Sequence, residues 1–99
     1  MKWKIEKVKV SPEVEVVKIV LSGMLEPAEL PTLIEEVVRG VDRGVEETIV
    51  ISGRLPVWAF THIAIAIAAT GRTVAIADPK LAGAVTAQGA IIPLPPEAF

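Results

Sequence analysis

Two short polar clusters carry most of the chemistry this sequence offers. The first, Ser52-Gly53-Arg54-Leu55-Pro56, leaves a predicted strand and enters a predicted helix. Glycine lets a backbone approach a ligand, a helix N-terminus presents unpaired N–H groups, and arginine adds a forked cation. Together they suit a phosphate; the alternative is a tight strand-to-helix turn whose arginine is merely solvated. The second cluster, Asp78-Pro79-Lys80, leaves the neighbouring predicted strand. Asp78 is suited to capping a turn, orienting Arg54 or holding a cation, and Lys80 to neutralising a phosphate. The plainer reading is an Asx turn beside a surface lysine. In open α/β sheets ligands gather at the carboxyl ends of parallel strands, where both clusters fall.

His62 is the one imidazole and lies within an apolar helical stretch. A histidine so placed is more commonly a packed, hydrogen-bonded core residue than a catalyst. A Ser52–His62–Asp78 triad is conceivable, but no nucleophile-elbow pattern places the serine. With no cysteine and a single histidine, no ligand cluster for a metal is visible. The acidic pairs Glu35-Glu36 and Glu46-Glu47 read as solvated surface.

The elements that must hold these groups follow from periodicity. Trp3–Val10 and Val14–Leu21, joined at Ser11-Pro12-Glu13, read as an antiparallel hairpin. A helix opens at Glu26-Pro27 and reaches about Val41, with Leu30, Leu33, Ile34, Val37 and Val38 on one face. Pro31 sits close to its start, which allows a start a few residues later. Glu47–Ser52 is a short continuous apolar strand, as expected for burial on both faces. A helix from about Val57 to Thr70 and a strand Thr73–Ala77 complete a right-handed βαβ unit. Ala84–Ala87 and Ala90–Ile92 supply one more short strand, and Pro93, Pro95 and Pro96 leave an extended tail. The expected fold is a small α/β Rossmann-like ββαβαβ(β) domain spanning residues 1–99, a mixed sheet with two helices.

Composition narrows the function classes. The 99 residues carry 10 Lys+Arg against 12 Asp+Glu, a net charge of -2. No basic excess supports a protein that coats nucleic acid or duplex DNA, although a local phosphate site stays open. Absence of cysteine excludes disulfides and thiolate catalysis and suits a reducing compartment. No asparagine and one glutamine, beside abundant Val, Ile, Glu and Lys, point to a hot habitat. From Leu55 to Phe99 the charged side chains are Arg72, Asp78, Lys80 and Glu97 alone. Leu55–Gly71, uncharged but interrupted by Pro56, Thr61 and His62, is marginal for a bilayer span. The first residues lack an apolar signal core, so a cytoplasmic protein is expected. The helix Val57–Thr70 is apolar almost all round, which predicts cover by its own sheet and by a second subunit, a homodimer.

The segments ISGRLPVW (Ile51 to Trp58) and AIADPKLAGAV (Ala75 to Val85) resemble the Csx-three family of CRISPR-associated proteins, CARF-like ring nucleases of type III systems. That family carries Gly-Arg-Gly-Pro-aliphatic-Trp, then a helix with a histidine, then Asp-Pro-Arg-Leu-Gly. The resemblance implies a dimer, or a pair of dimers, that binds cyclic tetra-adenylate. It also implies cleavage of that ring with help from a divalent metal, typically manganese, ending the signal it carries. Gly53, Arg54, Pro56 and Trp58 match the ligand-cradling segment, with Ser52 just before it; Asp78 and Pro79 match the second.

This chain departs from the pattern at four places. Leu55 replaces a glycine, Lys80 replaces an arginine and loses its fork, and Gln88-Gly89 stands where a further histidine would be. The family's helical histidine falls at Ile65, one turn from His62. The enzyme reading gives Arg54 and Lys80 the developing charge on phosphorus, and Asp78 a metal or a base, with His62 as a candidate base. The alternatives are a dimeric module that captures the ring without turning it over, and a structural assembly subunit.

Overall fold

The computed structural model describes residues 2–99. Strand β1 (Trp3–Ser11) and strand β2 (Val14–Leu21) form the expected hairpin, with Trp3 opposite Leu21 and Val8 opposite Val16. Pro27–Glu29 is a 3-10 turn closed by a capping box, in which the Glu26 N–H donates to Glu29 Oε1 at 2.8 Å. Helix α1 (Leu30–Asp42) therefore starts late, with Pro31 in its first turn, where no intrahelical N–H is needed. It buries Leu33, Val37 and Val41, one residue per turn. Strand β3 (Thr48–Gly53), helix α2 (Val57–Ala68) and strand β4 (Thr73–Asp78) make the expected βαβ unit.

All strands join one six-stranded sheet whose spatial order follows the chain. Strands β2, β3 and β4 run parallel, and the outer strands are antiparallel to their neighbours. Both crossovers step in the same direction, so right-handed connections put α1 and α2 on one face, packed on each other. Side-chain alternation then splits the core. Val17, Ile19, Ile49 and Ile51 point into the helical layer, while Val16, Val50 and Ala75 point the other way.

That second face departs from expectation. Not one but two short strands follow β4: β5 (Gly83–Thr86) and β6 (Ile91–Pro93). Pro93 is accommodated because β6 is an edge. The proline-rich segment after it does not simply run extended. It turns through a 3-10 turn at Pro96–Ala98 and lays Leu94 and Ala98 against Val16, Val50, Ala75 and Ala84. Without that cover the face would be an open apolar sheet.

Within one chain α2 buries a single stripe, Ala59, Ile63 and Ile67, while Val57 and Ile65 stay 82% and 61% exposed. Two further expectations are revised. His62 is exposed and is not a core histidine. Glu46, read as solvated surface, is 6% exposed and held by Lys9 Nζ at 3.2 Å. Among the described residues no helix is long and apolar enough to cross a membrane.

Candidate functional site

A cleft of roughly 580 Å³ opens at the carboxyl ends of β2, β3 and β4. Its floor lies on the sheet face turned from the helices. Lys18 of β2 stands directly beside Ser52 of β3, and Ala77 of β4 comes one residue past the Ile51–Ile76 pair. The walls are the end of β2 with Gly23, the Gly53-Arg54 step, Pro79, and Phe99.

Gly53 has φ +132°, and a Cβ there would sit on the Ile19 carbonyl oxygen of the neighbouring strand. The glycine is thus demanded by its own sheet, which leaves the backbone bare where the cleft begins. Arg54 follows, exposed and in no ion pair with any described residue. Lys18, with a side chain 22% exposed, lies 4.0 Å from Glu6 Oε1. These two are the charged lining residues of the cleft, and both are positive. In a chain of net charge -2 this is a local cationic concavity.

Of the residues singled out from sequence, Ser52, Gly53, Arg54 and Pro79 line the cleft. Ser52 is 2% exposed, and its hydroxyl donates to the Ala98 carbonyl, so the proton is committed to holding the Leu94–Phe99 segment. Asp78 closes β4 and accepts the Lys80 backbone N–H at 2.9 Å, the Asx turn of the plainer reading. Neither Asp78 nor the exposed Lys80 lines the cleft. Pro56 precedes α2 as its cap residue, and Trp58 packs half-buried on the helical core. His62 sits on the exposed side of α2, in the layer across the sheet from the cleft floor. Ser52, His62 and Asp78 therefore do not assemble into a triad within one chain.

The donor set also bears on a metal. Among the described residues no three His, Asp or Glu side chains converge, and Asp78 Oδ1 already accepts a backbone hydrogen bond. One chain alone does not supply a fitting ligand shell. Two carboxyls are held below the ordinary value of 4.5, both outside the cleft. Glu29 accepts the Glu26 N–H and is bonded by Lys2; Glu46 accepts its own N–H and is bonded by Lys9.

Sequence reasoning passed over Lys18 and Phe99. Lys18 did carry a signal, a lone cation inside the β-branched run VEVVKIVL. Phe99 carried none, because the return of its segment over the sheet leaves no periodic trace.

Comparison with curated proteins finds no matching relative. A family model described as CRISPR-associated protein (Cas_csx3) matches residues 18–92, from the lysine on the cleft floor to the last strand. The match covers three quarters of the chain and both polar clusters, and the chain belongs to this family of CRISPR-associated proteins.

Proposed function

We propose that the protein binds cyclic tetra-adenylate by its phosphates in the cleft at the carboxyl ends of β2, β3 and β4. The observation that carries this reading is the pair of cations, Lys18 and Arg54, lining a cleft that has no acidic side chain among its lining residues. Arg54 offers two parallel N–H donors to one phosphate, and the bare Gly53 backbone allows close approach. The apolar walls around them suit the sugars and bases of a short oligonucleotide better than a free inorganic ion.

Binding is the part of the activity one chain can perform. Cleavage of a phosphodiester also needs a base, and the lining side chains offer none: Lys18 and Arg54 are cations, and the Ser52 hydroxyl already donates to the Ala98 carbonyl. Turnover is the second reading, and the exposed His62 beside the apolar outer strip of α2 favours it. In an assembly that brings His62 of one copy to the mouth of another copy's cleft, Arg54 and Lys18 would stabilise charge on the phosphorus.

Titration calorimetry with cyclic tetra-adenylate tests binding, and chromatography of the ring with and without manganese tests turnover. Binding by the wild-type protein that falls about tenfold or more in Arg54→Ala is expected. Unchanged affinity in that variant would place the ligand elsewhere. Ring opening lost in His62→Ala, with binding intact, would establish the second reading.

A further inference from the structure

Most of the cleft's lining comes from outside both polar clusters. Lys18 faces away from the helices, and its nearest carboxylate, Glu6, lies directly across the β1–β2 ladder at 4.0 Å. Glu6 is drawn closer to Lys4, at 3.1 Å, so it compensates Lys18 only weakly. A loosely paired ammonium on the floor of a cleft lined by no acidic side chain is poised for an anion. Phe99 forms part of the wall and packs half-buried on the small second core. Its place is fixed by two hydrogen bonds: the Ser52 hydroxyl to the Ala98 carbonyl, and the Phe99 N–H to the Pro96 carbonyl at 3.2 Å. A cation and an aromatic ring around one cleft match the two faces of a nucleotide, its phosphate and its base.

We propose that Lys18 and Phe99 form a nucleotide subsite of their own, beside that of Arg54. Lys18 takes a phosphate, Phe99 packs against the adenine base, and Ser52 is the positioning residue that keeps Phe99 in the wall. The Leu94–Phe99 segment thereby does two things, closing the second core and completing the ligand site. This subsite rests on the cleft being the place where cyclic tetra-adenylate binds. It extends that reading to a base-recognising element lying beyond residues 18–92.

The test compares two probes, cyclic tetra-adenylate and inorganic tripolyphosphate, titrated into wild type, Lys18→Gln, Phe99→Leu and Ser52→Ala at several salt concentrations. Thermal melts establish that each variant is folded, and leucine keeps most of the packing volume at position 99. Lys18→Gln is expected to weaken both probes about tenfold and to lower the salt dependence for the ring by about 0.7. Phe99→Leu is expected to weaken the ring about tenfold while leaving tripolyphosphate unchanged, and Ser52→Ala to follow it. A merely structural role for Phe99 or Ser52 would move both probes together and overturn the base contact. An unchanged affinity and salt slope in Lys18→Gln, with Arg54→Ala still impaired, would overturn the subsite but leave the binding site. No binding of the ring by wild type would overturn both.

Discussion

Gly53 stands where a structural demand and a functional one meet. Its φ of +132° lies where side chains are rarely found, and a methyl group would meet the Ile19 carbonyl. Alanine there strains the backbone and pushes β2 and β3 apart just below the cleft. Gly53→Ala is expected to lose about 1–3 kcal/mol from the backbone conformation alone, read from urea unfolding. Arg54→Ala, one residue on, removes an exposed side chain with no ion pair among the described residues and is expected to change stability by less than about 0.5 kcal/mol. Adjacent positions thus separate cleanly, one fixing the strand end and the other left free for a ligand. A stable Gly53→Ala protein would mean that β2 and β3 can adjust at that point, and that the glycine is there for the ligand.

At the scale of elements, α2 shows what composition reveals and what it hides. Its apolar residues announce a buried helix, and the βαβ unit around it is legible because strand runs and helix boundaries are marked by Gly53, Pro56, Gly71 and Pro79. Which face is covered is not legible, since Ile63 and Ile65 look alike in sequence yet are 0% and 61% exposed. Ile63→Ala is expected to cost about 2–5 kcal/mol by opening a cavity against the sheet, while Ile65→Ala stays within about 0.5 kcal/mol in the monomer. Chemical unfolding at low concentration measures both; a concentration-dependent loss in Ile65→Ala would show a partner on that side. The same blindness explains the cleft. Ser52, Gly53, Arg54 and Pro79 could be found because the carboxyl ends of parallel strands are where sites form. The pairing of Lys18 with Phe99 could not, because it depends on which sheet face the Leu94–Phe99 segment covers. Alanine, glycine and proline dominate the strands and turns leading to that segment, and such residues carry little periodic signal.

Across the whole molecule the charges are sorted by task. The cationic cleft occupies the carboxyl ends of the parallel strands, whereas the acidic residues of the first half fasten the edge strand. β1 and the residue before it are tied to the helical layer by Lys2 to Glu29 at 2.9 Å and the Trp3 indole N–H to Glu36 at 2.7 Å. Further along, Lys7 bonds the Gly40 carbonyl at 2.7 Å and Lys9 bonds Glu46 at 3.2 Å. The lysines along that edge strand disfavour its pairing with other chains. Two of these clasps respond to acid. Hydrogen bonds from the Glu26 and Glu46 N–H groups, reinforced by Lys2 and Lys9, hold the Glu29 and Glu46 carboxyls below 4.5. A carboxyl whose folded pKa is depressed binds fewer protons folded than unfolded, so its contribution is complete above its unfolded value and fades as pH falls through the folded one. Stability to urea is therefore expected to hold from neutrality to about pH 5 and to fall below pH 4.5. The Glu29→Gln/Glu46→Gln double variant should be less stable at neutral pH and lose less on acidification. An equal slope in wild type and variant would assign the acid sensitivity to other carboxylates. Because the cleft lies apart from both clasps, the double variant should still take up an anionic ligand at neutral pH with wild-type affinity. That outcome separates the groups that hold the sheet edge from the groups that hold the ligand.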